Sequence, residues 1–159
     1  MKTTFAILFA LFSTCAVNAQ TYTLNQLVGT KWRMIFPKEL ENNPYFTIID
    51  MDEYTNEEIK GTMKRIRKAD GELRRESHVV RKYYLSDVKP TSFDHSKVGK
   101  VTKGSYLVIY YGKYGNGEEI MQYYKILSLT NDSLKLFHKA DFKRKETRNV
   151  WIDYVRVKD

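Results

Sequence analysis

The chain has 159 residues, a length that suits one domain with a real core, and its 42% apolar and 14% aromatic content excludes a disordered polypeptide. A formal charge of +8 leaves two readings, plain solubility or anionic partners, and a single cysteine excludes a disulfide-stapled scaffold. Twelve tyrosines, a residue that favours strands and keeps a polar tip, tilt the composition toward β structure.

The first residues include Lys2, residues 5–12 are apolar, and Ala16-Val17-Asn18-Ala19 supplies a small-residue exit, so residues 1–19 read as a signal peptide and 20–159 as the mature domain. The apolar run is shorter than the ~20 residues that span a bilayer, and no later window approaches that length. The expected location is therefore periplasmic or secreted, and the protein is not expected to be transmembrane. Cys15 raises lipoprotein anchoring as a competing idea, but Phe12-Ser13-Thr14 lacks the small and aliphatic residues that such a site wants. Removing the leader takes away the only cysteine, and with it disulfides, a thiol nucleophile and cysteine-ligated metal. For an exported basic protein, the expected anionic counterparts are lipid headgroups, glycans or acidic proteins.

Leu24, Leu27 and Val28 ahead of Gly29 predict a helical turn over 23–28 that runs into a first strand, with Trp32, Met34 and Phe36 on one face and Lys31 and Arg33 on the other. Residues 37–44, bounded by Pro37 and Pro44, form a connection. The run 45–54 alternates as a second strand, and 58–68 as a third that ends at Ala69-Asp70-Gly71, a strong hairpin signal. In the fourth strand, 72–86, Ser77, Val79, Arg81, Tyr83 and Leu85 form one alternating set and His78, Val80, Lys82 and Tyr84 the other. Residues 87–103 carry Pro90 and Gly99 without periodicity and are expected to be a mobile loop or lid. An aromatic and β-branched strand follows at 106–111, then a glycine-rich turn at 112–117, a strand at 118–129, a turn at Asn131-Asp132, a strand at 134–138, a charged loop and a last strand at 147–157. About eight strands with short turns predict an all-β, eight-stranded up-and-down antiparallel barrel, since closure removes the exposed edges of a meander. An open sandwich is the structural alternative.

Taken together, the leader, Leu27-Val28-Gly29-Thr30-Lys31-Trp32 and the late hairpin Ile126-Leu127-Ser128-Leu129-Thr130-Asn131-Asp132-Ser133-Leu134 resemble the exported lipocalin-like (calycin-type) proteins common in Bacteroidetes. The resemblance implies that Trp32 sits at the closed end of the barrel and that a basic residue late in the chain, Arg156 or Arg148, packs over it. The chain departs from the family by placing two residues, Thr30 and Lys31, between the glycine and the tryptophan, where one is usual, and by having no disulfide.

An eight-stranded barrel is just wide enough to hold one small ligand beside its side chains. Tyr84, Tyr110, Tyr123 and Tyr124 are the cavity candidates, each offering a ring and a hydroxyl, against a reading in which they fill the barrel as core or sit outside it. Between Lys60 and Lys82 the bias is basic, and Arg65, Arg67, Arg74 and Arg75 are the candidates for a positive face that meets phosphate or sulfate, against a reading as solvated surface with scattered ion pairs. Aromatic interleaving is absent there, which disfavours nucleic acid. His78, His95 and His138 lie far apart, and the acidic residues Asp50, Asp52, Glu53, Glu57 and Glu58 lack the glycine and ligand order of a calcium loop, so no metal is expected. No nucleophile elbow is present, and no catalytic residue or cofactor is assigned. The expected function is non-enzymatic: binding of a small apolar or amphipathic molecule inside the barrel, gated by 87–103. The alternative is a binding or inhibitory module that engages an anionic partner through the basic hairpin.

Overall fold

The computed structural model describes residues 20–35, 45–67, 69–141 and 147–158. Its strands are β1 (Tyr22–Thr23), β2 (Trp32–Ile35), β3 (Tyr45–Tyr54), β4 (Glu58–Arg67), β5 (Leu73–Ser86), β6 (Lys103–Gly104), β7 (Tyr106–Lys113), β8 (Glu119–Leu129), β9 (Ser133–Asp141) and β10 (Thr147–Arg156). Eight of them, β2, β3, β4, β5, β7, β8, β9 and β10, form a closed antiparallel barrel in which each strand pairs with the next. The ring closes where β10 returns to β2, with Asp153 opposite Ile35 and Arg156 opposite Trp32. That closing ladder decides against the open sandwich. The expected helical turn is a short 3-10 turn at Leu24–Gln26, and β1 pairs with β6 as a separate two-stranded patch.

Connections in an up-and-down barrel alternate between its two ends. The start of β2, the β3 to β4 turn at 55–57, both ends of the long connection 87–105 and the β8 to β9 turn at 130–132 therefore share one end, and the hairpins at 69–72 and 114–118 share the other. Residues 87–103 do not lie over an open mouth, as expected of a lid. The segment is tied down at the Trp32 end, where the Leu24 N–H donates to the Thr102 carbonyl at 2.9 Å and the Thr102 hydroxyl accepts from the Leu85 N–H at 2.9 Å, and its middle lies along the outer wall, with His95 Nε2 2.8 Å from Glu119 Oε1 at the start of β8. Gly104 anchors the far side of this connection so closely that a Cβ on it would lie 2.0 Å from the Ser86 carbonyl carbon. The polar, aperiodic sequence was compatible with a lid, but the segment is held by the first turn and the end of β5 and lies against the outer faces of β5, β7 and β8.

The core fills the same end. Trp32, Leu24, Leu27, Tyr54, Tyr83 and Leu85 are fully buried there together with Leu107 and Leu134. Each aliphatic side chain buried in this way contributes about 1.5–3 kcal/mol, so the plugged end carries much of the stability. A second, smaller apolar cluster lies on the outside of the wall, where Phe93 of the long connection packs on Tyr84 and Val108.

Candidate ligand-binding cavity

Alternation along the strands turns one set of residues inward, and above the plugged end these inward residues leave space. The result is a cavity of about 90 Å³. Met34 of β2, Ile49 and Met51 of β3, and Ile59, Gly61 and Met63 of β4 form one wall. Val79 and Arg81 of β5, Ile109 and Tyr111 of β7, Tyr124 of β8, Leu136 of β9, and Ile152 and Tyr154 of β10 complete the ring, and Asp50 also borders it. Gly61 holds the β3 to β4 wall thin: it lies opposite Met51 and Val79, and a Cβ there would come within 2.7 Å of the Asp50 carbonyl oxygen. A cavity of about 150 Å³ is enough for benzene, and pockets for drug-sized ligands start at about 300 Å³, so this space as it stands takes only a guest of a few heavy atoms, and a larger one requires the lining to repack. Three of its lining residues are methionines, whose unbranched side chains repack at low cost.

The polar groups of the cavity are few. Arg81 lays its guanidinium over the Tyr111 ring, 5.0 Å from the centroid, and its Nη1 donates to the Val80 carbonyl at 3.3 Å. Its Nε is buried and has no hydrogen-bond partner. The Tyr111 hydroxyl lies 3.3 Å from that of Tyr124, which donates to the Gln122 side-chain oxygen at 2.6 Å. Burial pushes the Tyr124 phenol well above its ordinary pKa, and neighbouring Tyr111 adds to the shift. Burial also raises Tyr111, partly offset by its bond to Tyr124 and by the Arg81 charge, and burial raises Tyr154. All three phenols are therefore neutral at physiological pH, and with the Tyr124 hydrogen on Gln122 the Tyr111 hydroxyl is the donor to Tyr124. On the opposite wall, Asp50 Oδ1 accepts from the Met34 N–H at 3.1 Å, and its Oδ2 is 3.8 Å from Arg33 Nε. The described part of β2 is in ladder register with β3 only at Trp32 and Met51, and the side chains of Asp50 and Met34 supply the next bonds between the two strands, Met34 sulfur accepting from the Ile49 N–H at 3.4 Å.

Of the four tyrosines singled out from the sequence, Tyr124 lines the cavity and the other three do not. Tyr84 and Tyr110 pack outside the wall against Phe93, at centroid distances of 5.2 and 5.0 Å, and Tyr123 faces Tyr106 at 6.2 Å with Lys89 Nζ 5.2 Å from its ring. The alternating partners of Tyr84 were His78 and Lys82, polar residues that mark an outward set. No such signal existed for Tyr110, whose outward neighbours Tyr106 and Val108 are apolar because the long connection covers them. Sequence reasoning selected none of the other lining residues, among them the polar Arg81, Tyr111 and Tyr154.

Trp32 is completely buried, and its indole N–H donates to the Thr30 hydroxyl oxygen at 2.7 Å. That hydroxyl in turn donates to the Leu27 carbonyl. Arg156 stands opposite Trp32 on β10, and its side chain borders a shallow groove with Thr30 and Leu129 at this end. Arg148 stands opposite Ala140 at the other end of the same strand, and its side chain lies outside the described residues. The basic hairpin is divided. Arg67 bonds Asp70 and Glu72, and Arg74 reaches Glu72 at 3.2 Å. Arg65 and Arg75 are exposed and directly opposite each other, in the same alternating set as Met63 and Ser77. Among the described residues no three His, Cys, Asp or Glu side chains are grouped as a metal site would need, and no helix is long and apolar enough to cross a membrane.

No protein-family model matches the chain, and neither a curated protein nor a solved structure matches it. Its class is that of a closed eight-stranded antiparallel barrel with a plugged end and an apolar cavity.

Proposed function

We propose that the protein is an exported, non-enzymatic, lipocalin-like carrier that holds one compact apolar or amphipathic molecule inside its barrel. The observation that carries this reading is the cavity itself: about 90 Å³ walled by methionine, isoleucine, valine and leucine, with polarity confined to Arg81, Asp50 and buried tyrosine hydroxyls. An apolar lining with a few fixed polar groups is the usual make-up of a small-molecule site. The export part of the proposal rests on the leader-like residues 1–19. Because core side chains fill the Trp32 end, entry is assigned to the other end, beside the hairpins at 69–72 and 114–118.

Xenon-129 NMR tests this, because a xenon atom fits the space as it stands. A xenon shift that saturates at one site per chain is expected, together with its loss in Val79→Phe, which fills the cavity. A xenon resonance that stays at its aqueous position, or a shift of the same size in Val79→Phe, would contradict it. The alternative, docking to an anionic partner through the basic hairpin, has less support, because Arg67 and Arg74 already direct their charge to Asp70 and Glu72.

A further inference from the structure

On the outer face of β8, β9 and β10 the ladders bring Lys125, Phe137 and Trp151 into one row: Lys125 stands opposite Phe137, and Phe137 opposite Trp151. The two rings pack at 5.5 Å between centroids, and Trp151 still stays 58% exposed. Leu127, at the bulge of β8, is a further exposed apolar residue beside them. All three apolar residues point outward because their chain neighbours Ile126, Leu136 and Ile152 belong to the interior. Along β9, Lys135 and Lys139 flank Phe137, and both are exposed, as is Lys125. None of these three lysines has an ion-pair partner among the described residues. The acid within this patch is Asp153, across the ladder from Lys135. Apolar side chains left in water within a rim of charge mark an interaction surface.

Shape and charge decide what covers the patch. The outer wall of a barrel is convex, and neither the cavity nor the groove beside Arg156 is lined by Leu127, Phe137 or Trp151, so nothing there encloses a small molecule. A second copy of the chain would set three lysines against three, which like-charge repulsion opposes. We infer that this face docks the protein on an anionic lipid bilayer, with Trp151 and Phe137 at the depth of the headgroups and Lys125, Lys135 and Lys139 on lipid phosphates. Tryptophan favours the membrane interface because its ring is apolar and its N–H polar, and lysine stems lie along apolar rings while their ammonium groups reach outward. Each lysine near an anionic surface is worth about fivefold in affinity, and the net charge of +8 draws the whole chain toward it. The docking does not depend on a guest in the cavity, which lies on the other side of the same strands.

Co-sedimentation of residues 20–159, which hold the whole barrel, with phosphatidylcholine vesicles that contain or lack phosphatidylglycerol tests this without the apolar leader run. Binding is expected only with phosphatidylglycerol and should weaken as salt rises. Tryptophan emission should shift to the blue on binding and lose that shift in Trp151→Phe, because Trp32 is already buried. Lys125→Gln, Lys135→Gln and Lys139→Gln together should weaken binding roughly a hundredfold, whereas Arg74→Gln with Arg75→Gln should weaken it far less. No binding to either vesicle, equal binding to both, or a greater loss in the arginine pair than in the lysine triple would overturn the inference. So would retention on heparin without binding to vesicles, which would assign the face to an acidic glycan. In the unsubstituted protein, lipids brominated near the headgroup should quench Trp151 emission. If the variants do not fold, vesicle-bound protein that escapes this quenching overturns the inference on its own.

Discussion

Thr30 explains the extra residue between Gly29 and Trp32. A buried indole N–H needs an acceptor, and the Thr30 hydroxyl supplies it while donating to Leu27, so the added position closes a three-residue relay beneath the barrel. Thr30→Val keeps the shape and removes both bonds; it should cost about 1–3 kcal/mol in denaturant unfolding, and Thr30→Ser should recover most of that. An unchanged unfolding midpoint in Thr30→Val would show that the relay is dispensable. The sequence flagged Thr30 as an insertion beside the tryptophan, yet its role was not legible, because a hydroxyl two residues from an indole meets it only through the local backbone path. Arg81 was hidden for a related reason: in the strand pattern an arginine on the set of Val79 and Tyr83 looks like an interruption, and only closure of the ring turns it into the cavity's cation.

Elements were easier to read than the faces they present. The Asp70-Gly71 turn, the Asn-Gly turn before β8 and every barrel strand follow from alternation and turn chemistry, because a period of two is a local property. Which alternating set faces inward is a property of the closed ring. It was legible for β5, where His78 and Lys82 accompany Tyr84, and illegible for β7, where an outer covering lets both faces be apolar. The end at which 87–105 lies also follows from counting strands, once an up-and-down order is accepted.

Two measurements belong at this scale. Gly104→Ala should destabilise the fold and free the long connection, since a Cβ would collide with the backbone at Ser86 and Asp87; faster amide exchange at Leu24 and Leu85 is the readout, and native-like exchange would contradict the anchoring. In the β4 to β5 turn, hydrogen bonds from Arg67 and from the Glu72 N–H lower the Asp70 carboxyl to about 2. Its folded pKa is below the unfolded value of about 3.9, so its contribution is complete above that pH and fades as pH falls through about 2. Carboxyl NMR should show that midpoint, and Arg67→Met should move it upward; a midpoint unmoved by Arg67→Met would exclude the pairing.

At the scale of the molecule, one end of the barrel is packed solid around Trp32, Tyr54 and Tyr83, and the space that remains lies beyond them, bounded by methionines and a single arginine. On the proposed carrier reading, this arrangement links stability to one end and binding to the other. Methyl-13C-methionine NMR under rising xenon pressure reads it directly, because Met34, Met51 and Met63 line the cavity while Met121 packs against the outer cluster and serves as an internal control. The cavity account predicts saturable shifts of the three inner methyls with Met121 unmoved; shifts confined to Met121, or three inner methyls that ignore the ligand, would contradict it.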